Sequence, residues 1–348
     1  MKVASLIAKE KILIEERNPK SLGPTDVKIN VCAAGICGSD VPRFFNGRVH
    51  FFPIVLGHEV SGVVDEVGCQ VKDLHPGDHV VVVPLMPCGK CVHCAEGSYA
   101  LCENYKFVGS SVDGGFAEQL VLPEKNLFKL SQKIKHKDAI FFETASVALH
   151  AVDLLGDIYG AKVAVVGTGT VGLLCSQWCR LKGAKVNLFG RSQTSDKAIS
   201  LGIPYFSIGE HVNCQNSKYD FVIDAVGYSS SIDCALVLLK KGGVLSLVGT
   251  PSEDVLISSK IWNLVNRKEL VIKGSWMGYS SPFPGKQWER VMQAIVEDKI
   301  ALSSVLLFRQ QFPLDQINDA FSLFADSKPV RGRVLIYTKY FDLLSEFP

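Results

Sequence analysis

Hydrophobic and polar positions alternate along this chain in two different textures. From about Val27 to Val83, short β-branched runs such as Val27-Lys28-Ile29-Asn30-Val31, Val60 to Val67 and His79 to Val83 are broken by Gly and Pro. That pattern predicts a strand-rich region. From Lys162 onward, apolar runs (Val163 to Val166, Lys185 to Phe189, Phe221 to Ala225, Val244 to Val248, Leu270 to Ile272) are separated by helical spans such as Val171 to Leu181. Strand and helix in alternation predict an α/β region built as a doubly wound parallel sheet. After about Pro282 the pattern is mixed, with a helix expected over Trp288 to Ile295 and a strand over Arg333 to Thr338. This tail is expected to rejoin the first part. No solenoid repeat, low-complexity tract or Gly/Ser linker divides the chain, so the two parts are expected to share a packed cleft.

Composition narrows the picture. A length of 348 residues suits two domains, and 47% apolar against 21% charged residues predicts packed cores rather than disorder. The net charge of +2 gives no footprint for a polyanion, so no nucleic acid is expected as partner. No segment approaches 18 uninterrupted apolar residues, and Val80 to Met86 and Val163 to Val166 read as buried strands; no membrane partner is expected. The first residues, Met1 to Glu10, mix charges with apolar side chains and lack the apolar stretch of a secretory signal, so a cytoplasmic location is expected. Four of the eleven cysteines fall between positions 88 and 102, which points to thiolate chemistry in a reducing compartment rather than to disulfides.

The run Val163-Ala164-Val165-Val166-Gly167-Thr168-Gly169-Thr170-Val171-Gly172 sets a Gly-x-Gly-x-x-Gly pattern directly after a predicted strand and at the start of a predicted helix. Gly167 allows the tight turn, Gly169 lets backbone approach a pyrophosphate, and Gly172 permits close helix-to-strand packing. The helix N-terminus supplies free amides to the phosphates. This predicts a Rossmann dinucleotide-binding unit, with Thr168, Thr170 and Val171 in the same turn; the competing reading is a Gly-rich structural turn. The next strand normally ends in a carboxylate that accepts from the ribose 2′-hydroxyl of NAD. Here Gly190 is followed by Arg191 and Ser192, a guanidinium and a hydroxyl that suit the 2′-phosphate of NADP. The alternative leaves Arg191 as a solvated cation and gives the carboxylate role to Asp196.

Cys88, Cys91, Cys94 and Cys102, spaced Cys-x2-Cys-x2-Cys-x7-Cys, fit a closed tetrahedral shell for a structural Zn²⁺ ion; an iron–sulfur cluster or free thiols are the alternatives. Pro87, Gly89 and Gly97 supply turns for this lobe. A second constellation is dispersed, with Cys37 in Gly35-Ile36-Cys37-Gly38-Ser39-Asp40 and His58 in Gly57-His58-Glu59. A catalytic zinc takes three protein ligands and keeps one position open, but spacing alone does not show that these residues meet.

The stretch Gly57-His58-Glu59-Val60-Ser61-Gly62, continuing to Gly68 and Val71, is similar to the zinc signature of the medium-chain alcohol and polyol dehydrogenases. Cys37-Gly38-Ser39-Asp40, the four-cysteine lobe, Phe141-Phe142-Glu143-Thr144 and the Gly167 to Gly172 turn follow in that family's order, so the resemblance spans nearly the whole chain. It implies a mainly-β GroES-like catalytic domain over 1–150 and 285–348, with a zinc lobe at about 86–104. It also implies a Rossmann domain over 151–284, and a homodimer or homotetramer. It implies Cys37, His58 and Glu143 as catalytic zinc ligands, with Glu59 an adjacent carboxylate able to enter the shell when ligands exchange. Two zinc ions per chain and NADP or NAD are the cofactors expected.

Within the family, Asp40-Val41-Pro42-Arg43-Phe44-Phe45, Phe52-Pro53-Ile54-Val55-Leu56-Gly57-His58-Glu59 and the run from Gly274 to Gly285 resemble the galactitol-1-phosphate 5-dehydrogenases. The reaction implied is hydride transfer between a polyol phosphate's secondary alcohol and NAD(P), of the galactitol 1-phosphate to tagatose 6-phosphate type. Alternatives are oxidation of unphosphorylated sugar alcohols or simple secondary alcohols and, more remotely, a redox-silent nucleotide-binding protein. Zinc makes a bound hydroxyl far more acidic, and Ser39 is the first proton acceptor expected. Arg43, Lys106 and Tyr279, the last within Tyr279-Ser280-Ser281, are the candidate substrate contacts. The chain departs from the family at Pro42, where many members keep a relay His, at Thr144, where Pro is common, and at Arg191, which replaces the acidic residue of NAD-dependent relatives.

Overall fold

The structure is a computed structural model and describes residues 1–192, 195–208, 218–325, 330–342 and 346. The chain divides into two compact units: Met1–Glu143 with Tyr279–Glu297 and Leu302–Pro348, and Thr144–Gly278 with Asp298–Ala301.

In the first unit the long strand Asp26–Ile36 is the organising element. It pairs antiparallel with Glu59–Val67 on one side and Val334–Tyr337 on the other, and its first half also pairs with Gln119–Pro123. The sheet continues from Glu59–Val67 to His79–Val82 and Leu127–Lys129, and from Val334–Tyr337 to Phe312–Pro313. A separate three-stranded sheet holds Lys11–Glu16, Lys2–Ala8 and Ile54–Val55. Alternate side chains of these strands, among them Leu6, Val27, Ile29, Val31, Ile54, Val60 and Val80, meet Phe116, Ile317 and Phe321 in one apolar core. The β-branched pattern thus builds the strand region it predicts, because period-two side chains line one face of each strand. The expected C-terminal helix and strand are present as Lys286–Val296 and Val334–Tyr337.

The second unit carries a six-stranded sheet in which every pairing is parallel. In spatial order its strands are Tyr205–Ser207, Lys185–Gly190, Lys162–Val166, Tyr219–Asp224, Leu239–Leu247 and Val271–Gly274. Counted along the chain this is the order 3-2-1-4-5-6, with the reversal beside the first strand, where open α/β sheets bind their ligands. The helix Thr170–Leu181 follows the first strand and buries Leu173, Leu174, Cys175, Trp178 and Cys179. No helix among the described residues is long and apolar enough to cross a membrane.

One buried polar cluster makes the first unit's stability depend on pH. His136, 7% exposed, places Nδ1 2.7 Å from Ser61 Oγ, and its ring lies against His79 at 4.7 Å between centroids. Its backbone N–H donates to Glu346 Oε1 at 2.8 Å. Burial, helped by His79, pushes the imidazole down to about 4. Between that value and the ordinary one near 6.5, the unfolded chain binds a proton that the native state refuses. Stability is therefore fully present above about pH 6.5 and is lost toward pH 4, by up to roughly 3 kcal/mol from this residue. Urea midpoints measured across that range should fall with acidification in the parent protein, and His136→Gln should flatten the fall.

Candidate active site

The strand Asp26–Ile36 delivers Cys37 at its end, and the helix Asp40–Asn46 begins three residues later. Two reciprocal bonds lock the turn between them. The Cys37 N–H donates to Asp40 Oδ2 at 3.0 Å, and the Asp40 N–H donates to the Cys37 carbonyl at 2.9 Å. Pro42 fits because it lies in the first helical turn, where the missing N–H breaks no helical bond. Ser39 precedes the helix, yet its side chain makes no capping hydrogen bond and is exposed. Its Oγ accepts from Arg43 Nη1 at 3.3 Å.

His58 and Glu59 arrive on the neighbouring strand Glu59–Val67, where Glu59 stands opposite Gly35. Cys37, His58 and Glu59 offer ligand atoms that all lie within 4.8 Å of one another. Glu143, in the first turn of the helix Phe142–Asp153, is 8% exposed and is not a member of that set. Its carboxyl nevertheless responds to the same charges: burial is the main effect, Cys37 adds to it and His58 opposes it, leaving the group pushed up to about 7.

The charges behind these residues explain how so many ionisable groups share one buried space. Arg333, 6% exposed, is ion-paired through Nε to Glu59 Oε2 at 2.6 Å and donates from Nη1 to the Ile36 carbonyl at 3.3 Å. Asp40, fully buried, faces His58 Nδ1 at 3.6 Å and Arg43 Nη1 at 3.0 Å. Burial alone would raise the Cys37 thiol, but Arg333 and His58 outweigh it and bring it down to about 5. Burial alone would lower His58, but Asp40 and Cys37 outweigh it and hold it well above the usual histidine range. Glu59 lies well above the ordinary carboxylate range because its burial exceeds the help from Arg333. A thiolate, an imidazole and a carboxylate gathered in this way are the donors a catalytic zinc takes, so the residues present fit the metal.

The second cluster is the cysteine lobe. Cys88 Sγ lies 4.0 Å from Cys94 Sγ, and Cys91 Sγ lies 3.9 Å from Cys102 Sγ. Four sulfurs at about 2.3 Å from a central zinc sit about 3.8 Å apart along each tetrahedral edge, so these separations match an ion-sized centre. They are far too long for an S–S bond. A backbone N–H from Lys90 leads the effects that lower Cys88 to about 6, whereas burial leads those that raise Cys94 to about 12. The short strands Leu85–Met86 and Lys106–Phe107 frame the lobe, and Phe107 packs against the His58 ring at 5.5 Å.

In the second unit, Gly167 has φ +116°, a value that favours glycine, and its N–H donates to the Phe189 carbonyl at 2.8 Å. A Cβ at Gly172 would come within 1.9 Å of the Gly167 carbonyl, so the helix starts as close to the strand as backbone allows. Thr168 is partly buried, while Thr170 and Val171 open the helix Thr170–Leu181. Gly169 is exposed, and a Cβ there would meet no protein atom within 4 Å, which leaves room for a pyrophosphate at the helix N-terminus. Arg191 is exposed and Ser192 partly buried just past the strand Lys185–Gly190. Asp196 is the first residue of the helix Asp196–Ser200, behind the capping Ser195, where an acidic residue complements the helix dipole.

The substrate candidates fall in different surroundings. Arg43 is tied to Ser39 and Asp40, Lys106 is exposed beside Phe107, and Tyr279 is 4% exposed and stacked on Phe283 and Trp288. Burial and the nearby Glu143 raise the Tyr279 phenol well above its ordinary value, so it stays neutral. Two contributors escape sequence reasoning. Asp40 stands in the quoted Cys37 motif, but nothing local assigns it to His58. Arg333 is remote in sequence from Glu59, and only the strand pairing of Asp26–Ile36 with both neighbours brings them together.

Residues 23–132 match the alcohol dehydrogenase GroES-like domain and residues 170–297 the zinc-binding dehydrogenase domain. The chain belongs to the zinc-binding alcohol and polyol dehydrogenase family, with a GroES-like domain and a Rossmann-like parallel-sheet domain. Among its relatives, galactitol 1-phosphate 5-dehydrogenase of Escherichia coli K12 is 36% identical over 301 residues, covering 82% of this chain and 86% of the relative. D-xylulose reductase A of Aspergillus oryzae is 33% identical, covering 76% and 79%. The crystal structure of galactitol-1-phosphate dehydrogenase from Escherichia coli superposes with a TM-score of 0.90 at 33% identity, covering 97% of this chain and 100% of that one. A zinc-binding dehydrogenase from Sinorhizobium meliloti 1021, solved bound to NADP, gives 0.84 at 27% identity, covering 97% and 98%.

Two outcomes follow from this geometry. Cys88→Ser should release one equivalent of zinc per chain, read by metal analysis of the purified protein, and should lower its thermal midpoint. A Cβ at Gly35 would lie 2.6 Å from Glu59 Oε2 and 3.0 Å from Arg333 Cγ, whereas one at Gly38 would touch nothing within 4 Å. Gly35→Ala should therefore lose roughly 3 kcal/mol or more in urea unfolding by splitting a buried ion pair, while Gly38→Ala should stay within about 0.5 kcal/mol.

Proposed function

We propose that this protein interconverts the secondary alcohol of a polyol phosphate and the corresponding ketose phosphate with NAD(P), a reaction of the galactitol 1-phosphate to tagatose 6-phosphate type. The observation that carries the reading is the convergence of the partly buried Cys37 with the buried His58 and Glu59, beside an exposed and uncapped Ser39 hydroxyl. Cys37 and His58 hold the catalytic zinc with Glu143, and Glu59, kept by Arg333, is the carboxylate poised to enter during ligand exchange. Cys88, Cys91, Cys94 and Cys102 hold the structural ion. When bound, zinc supplies a Lewis acid that acidifies a substrate hydroxyl, and the nicotinamide supplies the hydride acceptor.

The chain's own groups do the rest. Ser39 Oγ accepts the substrate's hydroxyl proton and passes its own onward. Position 42 holds Pro rather than His, so the onward path runs through water or the cofactor ribose. The turn from Gly167 to Gly172 takes the pyrophosphate on free helix amides. Arg191 and Ser192 favour NADP, a reading supported by the NADP-bound relative. Lys106, exposed next to the residue that packs on His58, is the candidate partner of the substrate phosphate.

The relatives that act on xylulose support a second reading, in which the polyol is unphosphorylated. None of the described cysteines is joined in a disulfide, which fits a reducing, cytoplasmic setting. A homodimer or homotetramer is supported by the edge strand Val271–Gly274, where Val271 is 46% exposed, and by the helix Ser259–Arg267, which buries none of its residues and leaves Trp262 50% exposed.

Steady-state kinetics on galactitol 1-phosphate and galactitol with each cofactor tests substrate and cofactor together. The phosphorylated substrate should give the higher kcat/KM, and Lys106→Ala should remove about tenfold or more of that preference. Arg191→Ala should raise KM for NADP about tenfold and leave KM for NAD unchanged. Equal kcat/KM for the two polyols sinks the phosphate reading, and a parent preference for NAD sinks the NADP reading.

A further inference from the structure

Among the described residues, Arg43 contacts both Ser39 and Asp40, the residue that faces His58. Its Nη1 lies 3.3 Å from Ser39 Oγ and 3.0 Å from Asp40 Oδ1, and its side chain is 17% exposed. Asp40 has no solvent exposure; beyond Arg43 it accepts from the Cys37 N–H at 3.0 Å and faces His58 Nδ1 at 3.6 Å. The short helix sets this spacing, since residues 40 and 43 share a helical face and residues 39 and 43 are four apart. Both contacts come from Nη1, whose two hydrogens can serve one acceptor each.

We propose that Arg43 is a positioning residue. It holds the Asp40 carboxylate against His58, fixing the imidazole for the metal, and it holds the Ser39 hydroxyl in the orientation that proton transfer needs. Donation from Arg43 occupies one lone pair of Ser39 Oγ. The other remains for the incoming substrate proton, and the hydroxyl's own hydrogen must point away from the cation. Without Arg43, the buried Asp40 loses its cationic neighbour and Ser39 becomes free to rotate. A guanidinium already committed to two acceptors inside the protein is poorly placed to be the main phosphate ligand as well. The proposal rests on the reading of Cys37 and His58 as zinc ligands, and it adds what holds them from behind.

The test uses the zinc-loaded full chain with Arg43→Ala and Arg43→Lys. Three readouts are zinc retained against a chelator, kcat, and KM for galactitol 1-phosphate and galactitol. Residues that orient metal ligands typically change metal affinity or activity by about 10- to 100-fold. Arg43→Ala should lose zinc from the Cys37 site about tenfold or more faster, and should lower kcat on both polyols by the same factor with KM nearly unchanged. Arg43→Lys keeps a cation beside Asp40, but its shorter side chain stops short of the position that Nη1 takes between the two acceptors and cannot reach both, so it should recover zinc retention while kcat stays low. Should the Ala variant fail to fold, the Lys variant alone carries the same split between zinc retention and kcat. A rise in KM confined to the phosphorylated polyol, with kcat and zinc retention unchanged, would overturn the proposal and make Arg43 a phosphate ligand. A parent protein that binds only the zinc of the cysteine lobe would instead overturn the reading on which the proposal stands.

Discussion

Burial of opposite charges at short range is the constraint on which the first unit depends. Cys37, Asp40, His58, Glu59, Glu143 and Arg333 share a space from which water is largely excluded, where an unpaired charge costs several kcal/mol. The solution is alternation. Arg333 sits against Glu59, and Asp40 sits between His58 and Arg43. His58 and Glu59 are thereby each backed by a group of opposite sign.

Backbone register supplies this arrangement as much as side-chain chemistry does. Asp26–Ile36 pairs with both Glu59–Val67 and Val334–Tyr337, so the thiolate, the carboxylate and the balancing guanidinium come from three adjacent strands. Gly35 lies opposite Glu59 because any larger side chain would occupy the volume of the ion pair. The second unit answers a simpler demand. Anionic phosphates need free amides and room, and one turn between a strand and a helix provides both.

How much was legible in the sequence follows from how local each signal is. The cysteine lobe and the Gly167 to Gly172 turn are contiguous, so spacing carries their meaning. The apolar runs of the parallel sheet are equally plain because both of their faces are covered. Less visible are the strand Lys11–Glu16, where charged residues flank a run of only three apolar ones, and Tyr205–Ser207, which has only three residues. Cys37 and His58 stand out as a dispersed pair, but spacing does not show that they meet, since 21 positions separate them, and Glu143 comes from the resemblance alone. Glu59 was expected beside the metal ligands and stands nearer to Cys37 and His58 than the helical Glu143 does. Arg333 had no signal at all. Its role is created by a strand pairing that one-dimensional periodicity does not encode.

The position of Arg333 along the chain has a consequence for how the molecule can be divided. The whole span Thr144–Gly278 is synthesised between Glu59 and its counter-ion, although neither partner belongs to that unit. An N-terminal fragment that stops before this span would carry the thiol, the imidazole and both acids without the guanidinium that neutralises them. Expressing the two halves separately is therefore not equivalent to cutting a linker. A faithful dissection would have to excise the inserted span and splice the flanking ends, so that the last strand can return to its place.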